Sequence, residues 1–214
     1  MAVYDLEEQE QIAQFKAWWG SYGNLIVGIV LAVVIGFVGW RLWDHYQTGQ
    51  ADKAGAVYFT LQEAVARNEA QQTFELAGEL ISRYSGTLQA QLGALLSAGV
   101  QFREHDFDHA RTQLEWAAKD GKDPFLRQLA RLRLAAVLLQ QGATDEALAR
   151  LQPAPEGALR VRFEDLRGDV LAAQGKASEA RAAWSAALDA LSDVGESAAP
   201  LRGLIRDKLE SLEG

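Results

Sequence analysis

Residues Tyr22 to Trp43, YGNLIVGIVLAVVIGFVGWRLW, constrain this chain more than any other stretch. From Leu25 to Trp40 it carries no charge and no residue more polar than glycine. A helix needs roughly 20 apolar residues to cross a hydrocarbon core of about 30 Å. The uncharged run falls a little short, and its flanks supply the difference. Tyr22, Trp40 and Trp43 are amphipathic rings that settle at headgroup depth, with Trp18 and Trp19 just upstream. The stem of Arg41 is long enough to carry its charge to the interface. The stretch predicts one membrane-spanning helix, 22–43, with Tyr22, Trp40, Arg41 and Trp43 in contact with membrane lipid at its ends.

Two alternatives fit less well. A cleaved signal peptide wants a basic leader and a small-x-small site directly after the apolar run. Here Asp5, Glu7, Glu8 and Glu10 face the single Lys16, and the nearest such site, Ala54-Gly55-Ala56, lies too far downstream. A core helix with so long an apolar run and tryptophan ends would be odd in a small soluble domain. Gly28 and Gly36 share a face that permits close helix approach in lipid. Residues 1–21 form a leader in which Leu6, Ile12, Phe15 and Trp19 suggest a short amphipathic helix ending at Gly20.

Beyond the anchor, 44–214 is long enough for one ordinary domain. From Asp44 onward 19 Lys+Arg stand against 25 Asp+Glu, without a long basic run, so nucleic acid is a poor candidate partner. The absence of cysteine rules out disulfides, zinc–thiolate sites and thiol catalysis. Only four prolines interrupt a chain rich in Ala, Leu, Gln, Glu and Arg, and no segment alternates as a half-buried strand would. The pattern predicts helices near 51–67, 71–84, 88–104, 107–119, 124–141, 144–152, 158–174, 177–191 and 199–212. In the first of these, Val57, Leu61, Ala64 and Val65 point inward.

Short helices joined by short turns invite a search for repeats, and one is present. LLQQGATDEALARL and LAAQGKASEARAAW superpose with Gly142 on Gly175 and Ala147 on Ala180, a step of 33 residues. VQFREHDFDHARTQL places Ala110 in the same position 37 residues before Ala147, and Ala77 lies 33 residues before Ala110. A period near 34 with a small residue in each second helix is the tetratricopeptide signature. The alanine is needed because paired helices cross closely there. Gly168 does the same for its helix, while Trp184 and Leu188 fill the space towards the next pair. The fold class predicted is therefore all-α, a single transmembrane helix followed by a tetratricopeptide-like solenoid of helical hairpins.

The whole chain resembles the YfgM family of inner-membrane proteins of Gram-negative bacteria. The likeness rests on the leader opening Tyr4-Asp5, the pair Trp18-Trp19, the anchor ending GWRLW and the block DLRGD…GKASEARAAW. The resemblance implies a single-pass protein with a cytoplasmic N-terminus and a periplasmic C-terminal domain. It also implies an ancillary Sec translocon subunit, a membrane-anchored adaptor that assists folding or trafficking of secreted proteins. The implied partners are Sec translocon subunits, a membrane-anchored peptidyl-prolyl isomerase and periplasmic chaperones. An alternative role is a regulator that sequesters an envelope-stress response regulator. Charge alone leaves the orientation close to a tie, since Lys16 precedes the span and Arg41 and Lys53 follow it.

The residues offer little chemistry. His105, Asp106, Asp108 and His109 cluster as metal ligands might, but they fall on a turn between paired helices, where Asp106 makes a better N-cap. Glu164 and Asp165 are neighbours about 100° apart on a helix and make a poor acid/base pair. No catalytic, cofactor-binding or metal site is expected, and the chain is not read as an enzyme. Function is left to surfaces. In such arrays the first helix of each pair lines a concave groove. That places Leu92, Leu95, Phe102, Leu129, Leu132 and Leu139 on a candidate partner-binding face, or in ordinary core. Arg127, Arg131, Arg160 and Arg162 form a charged alternative. Ala110, Ala147, Gly168, Ala180 and Trp184 are the expected repeat-packing positions.

Overall fold

A computed structural model of the chain describes residues 3–191 and 199–212; the side chains of residues 3–9, Leu6 among them, and of Ala158 lie outside the described set. Among the described residues the protein is all-helical. The helices are α1 (Val3–Ala66), α2 (Ala70–Arg83), α3 (Leu88–Arg103), α4 (Phe107–Lys119), α5 (Pro124–Gln140), α6 (Thr144–Arg150), α7 (Arg160–Ala173), α8 (Ala177–Leu191) and α9 (Ala199–Glu210). A 3-10 turn, Gly157–Leu159, leads into α7. The chain divides into two compact units, one up to Gly49 and one from Gln50.

The first unit is helix throughout its described length. This helix is long and apolar enough to cross a membrane, and its most apolar stretch is not buried among the described residues. Ile35 is 70% exposed and Leu25 61%. Phe15, Trp18, Trp19 and Tyr22 form a chain of ring contacts at one end, with centroids 6.0–6.4 Å apart. At the other end Trp40 contacts Phe37, and Trp43 contacts Tyr46.

Neither the helix end expected at Gly20 nor the gap expected between the anchor at 22–43 and the helix near 51–67, where Gly49 lies, occurs. The leader helix does not stop at Gly20, and the helix expected from residue 51 is the continuation of α1. Neither glycine adopts a positive φ, and a Cβ on either would meet open space. An isolated helical glycine costs only about 1 kcal/mol relative to alanine, which good helix formers on both sides offset.

The second unit is a run of helical hairpins made by the C-terminal turns of α1 with α2, α3 with α4, α5 with α6, and α7 with α8, followed by α9. The four hairpin turns are copies of one another. Each has a left-handed residue just past the first helix: Asn68 (φ 57°), His105 (60°), Gly142 (75°) and Gly175 (74°). The next residue donates its N–H back to the helix at 2.9–3.0 Å, from Glu69 to Ala64, Asp106 to Gln101, Ala143 to Leu138 and Lys176 to Leu171. The left-handed residue itself donates to the carbonyl three residues back. These paired bonds are the Schellman motif, which satisfies carbonyls that a helix end would orphan.

This register corrects the first repeat. Counting five residues from each left-handed position gives Thr73, Ala110, Ala147 and Ala180, all fully buried. The equivalent of Ala110 is Thr73 rather than Ala77. The hydroxyl of Thr73 is satisfied by the carbonyl of Glu69 at 2.9 Å, so a polar residue sits at the tight crossing without cost to its neighbours. Ala77, also fully buried, occupies the place taken by Leu114, Leu151 and Trp184 in the later hairpins.

Three connected apolar clusters run along the array. Ala54, Leu61, Ala77, Leu80 and Ala90 join α1, α2 and α3. A central cluster includes Leu114, Leu134, Leu138 and Phe163. Trp184, Leu191 and Ile205 tie α8 and α9 to α7. Side chains also repeat across the turns. Gln141 donates to Asp108 Oδ1 at 2.8 Å, and Gln174 to Asp145 Oδ1 at 2.9 Å, each pair holding equivalent positions in successive hairpins. Buried Gln91 accepts from Asp123 N–H at 2.8 Å and donates to the carbonyls of Ala117 and Asp123, anchoring α3 to the α4–α5 link.

Candidate partner-binding cleft

The first helices of the first three hairpins enclose a cleft of about 340 Å³. Val65 enters from α1, Leu95 and Phe102 from α3, and Val137 from α5, with Arg103 and Arg133 also facing the space. The sequence-predicted face is thus divided. Leu95, at 3% exposure, and Phe102 line the cleft from beneath, while Leu129, Leu132 and Leu139 are half-buried against the central core. Leu92 is half-buried on α3 outside the cleft lining. Helical spacing identified the apolar positions, but not which of them another helix of the chain already covers.

The charged residues are also sorted by their partners. Arg127 donates to the carbonyls of Gly121 and Lys122, and Arg131 to those of Arg150, Gln152 and Pro153. Both brace loops. Arg160 and Arg162 are exposed in the first turn of α7. Arg103 and Arg133, which the sequence did not single out, are the cations at the cleft. Arg133 reaches solvent, yet burial against the cleft wall pushes its pKa down. Its Nη1 donates to the Leu95 carbonyl at 3.0 Å.

The histidine cluster is a cap. Asp106 accepts from the His109 backbone N–H and pairs with His109 Nδ1 at 2.6 Å, and this side-chain hydrogen bond holds its carboxyl below the usual range. His105 sits at the left-handed turn, and the His109 ring packs on Phe74 with centroids 4.4 Å apart. Among the described residues no three His, Cys, Asp or Glu side chains gather as metal ligands would.

Glu164 pairs with Arg167 at 3.1 Å and Asp165 with Lys208 at 2.7 Å. Lys208 also meets Asp169 at 2.7 Å. Burial alone would lower the Lys208 pKa, but hydrogen bonds to both aspartates outweigh it and raise the value. Burial pushes the Asp169 carboxyl up, with Lys208 opposing. Asp165 and Asp169 thus fasten α9 to α7 through Lys208.

The repeat-packing positions cluster at close crossings. Ala110, Ala147 and Ala180 are fully buried, and a Cβ on Gly168 would collide with the Trp184 indole. Trp184 Nε1 in turn donates to the Asp165 carbonyl at 3.1 Å.

Comparison with known proteins agrees with this architecture. The family described as "Tetratricopeptide repeat-like domain" matches residues 16–214. A protein of Neisseria gonorrhoeae is 32% identical over 97% of this chain and 98% of its own length. One from Haemophilus influenzae is 31% identical over 81% of this chain and 84% of its own. One from Escherichia coli is 28% identical over 87% and 89% respectively. All three bear the name "Ancillary SecYEG translocon subunit".

Proposed function

We propose that this chain, which belongs to the YfgM family with its tetratricopeptide repeat-like domain, is an ancillary subunit of the Sec translocon and acts as an adaptor rather than an enzyme. The observation that carries the reading is the extent of the similarity. It covers 98% of the gonococcal translocon subunit, apolar helix and repeats alike, so the kinship is not confined to a widespread repeat domain. The uncovered stretch 22–43 supports an anchor in the inner membrane, where Trp18, Trp19, Tyr22, Trp40 and Trp43 settle at the two interfaces. Stacked hairpins suit a scaffold, because their extended surfaces hold partners by burial and complementary charge.

In this reading the N-terminus is cytoplasmic and the repeat domain periplasmic. The domain would then bring a membrane-anchored peptidyl-prolyl isomerase and periplasmic chaperones to emerging chains. Photo-crosslinking in intact cells tests it, with probes at Val30 and Ile35 in the anchor and at Leu132 in the array. Anchor adducts with translocon subunits, and Leu132 adducts with chaperones or secreted chains, are expected. Anchor probes that capture only lipid, with Leu132 capturing cytoplasmic proteins, would overturn both the association and the orientation.

A further inference from the structure

We propose that the cleft between the end of α1, α3 and α5 binds a peptide segment that sets an apolar side chain beside a side-chain carboxylate. Leu95, Phe102 and Val137 would take the apolar group, and Arg103 and Arg133 the acid. The inference rests on the adaptor reading only in taking the occupant to be part of another protein.

Size and lining come first. At about 340 Å³ the cleft lies at the low end of the range for ligand pockets and is walled largely by apolar side chains. It admits a few side chains rather than a folded partner.

The charges carry the argument further. Several half-buried basic side chains elsewhere in the array are already engaged. Arg111 pairs with Glu115 and Glu146, Arg131 is saturated by carbonyls, and Lys208 holds two aspartates. Arg133 has a carbonyl but no carboxylate among the described residues, although burial disfavours its charged form. A guanidinium carries five N–H donors, so most of its capacity remains for an incoming acid. Arg103, exposed at the last turn of α3, has no ion-pair partner among the described residues. Its position there complements the helix dipole without any ligand, but Arg133 lies mid-helix in α5, where the dipole offers no such account.

The wider field narrows the occupant. Residues 44–214 carry more Asp and Glu than Lys and Arg, so the domain repels a strongly acidic run. A segment with one or two carboxylates among apolar residues gains from the local pair of arginines without meeting that repulsion. Such a segment differs from a purely apolar one in needing an acid at a fixed offset from its anchor residue.

Fluorescence anisotropy on the full chain in lipid nanodiscs tests the inference. The probes are short labelled peptides that share one leucine- and phenylalanine-containing sequence and carry Glu, Gln or Lys beside the anchor residue. Glu should bind more tightly than Gln, and Gln more tightly than Lys, with Glu and Lys separated by about tenfold or more. R103E should shrink or invert the ranking, and R133K should weaken the Glu peptide while sparing the Gln peptide. R103Q, at an exposed position, keeps the test decisive should a change at Arg133 unfold the domain. Equal binding of Glu and Lys peptides, or a ranking indifferent to Arg103, would overturn the cleft proposal. Anchor crosslinking to the translocon is read separately, so a failed cleft and a failed adaptor role give different results.

Discussion

Replacing Gly168 with alanine should destabilise the protein, although the same change usually stabilises a helix. Gly168 lies within α7 directly beneath the Trp184 ring, and an added Cβ would collide with Nε1 and Cδ1 of the indole. Trp184 is 4% exposed and cannot swing into solvent without opening the core it shares with Leu191 and Ile205. Overpacking of this kind costs about 1–3 kcal/mol. Displacing the indole also strains its bonds to the Asp165 carbonyl and Asp169 Oδ1, worth about 1 kcal/mol. Against this stands the gain in helix propensity, about 1 kcal/mol. The net loss is about 1–3 kcal/mol, or roughly 2–12 °C in Tm for a domain of this size. Gly78 is the internal control, because it lies within α2 with open space around any added Cβ. Gly78→Ala should therefore raise Tm. Circular dichroism melts of the full chain in detergent give both values, and amide exchange should localise the Gly168→Ala effect to α7, α8 and α9. Adding Trp184→Leu should recover part of the packing loss by making room. If Gly168→Ala raised Tm as Gly78→Ala does, the close crossing of α7 and α8 would be refuted.

Three further outcomes follow from the turns and from α9. His105→Gly relieves a left-handed backbone strain that L-residues bear at about 1–2 kcal/mol, and part of that gain should appear in denaturant titrations, whereas Gly142→Ala should lose a comparable amount. Asp106→Ala removes an N-cap worth about 1 kcal/mol. Because the hydrogen bond from His109 lowers the Asp106 pKa, its ionised form contributes stability above the ordinary carboxylate value of 3.8, and that share fades as pH falls through the lowered folded value. The variant's stability should thus fall less steeply than the parent's on acidification. Lys208 has a folded pKa raised above 10.5, so its contribution is complete below that value and disappears as pH climbs through the raised one. Amide protection in α9 should decline over that alkaline range, and Lys208→Met should remove the step.

Local rules made most of the repeat domain legible. The stretch 107–119 is bounded by the Asp106 cap, and 177–191 by the left-handed Gly175 turn, so both helices were readable to the residue. The first hairpin was obscured because its turn residue is Asn68 instead of glycine and its crossing residue is Thr73 instead of alanine. Each does the same physical work with different chemistry: asparagine tolerates the left-handed region, and the threonine hydroxyl bonds to its own helix. Gly20 and Gly49 misled for the opposite reason. A glycine stops a helix only where the chain turns left-handed, and continuation of α1 on both sides removes that requirement.

The basic residues show where spacing ceases to inform. Arg127 and Arg131 share a face of α5 and look like a clamp for an acidic partner. Their donors instead reach the carbonyls of Gly121 and Lys122 just before α5, that of Arg150 at the end of α6, and those of Gln152 and Pro153 just after it. Satisfying such backbone acceptors is a demand of folding, and Arg131, whose three nitrogens are all engaged, has little capacity left for a partner. Arg133, two positions beyond Arg131, falls on a different face and looks across to α3, where its bonded acceptor is the Leu95 carbonyl. The difference between a brace and a binding residue thus lies in which acceptors the hairpin stacking leaves within reach. In a repeat array that stacking couples positions about one repeat apart, as Arg133 and Leu95 are, so the free cations emerge only once the first helices of successive hairpins are side by side.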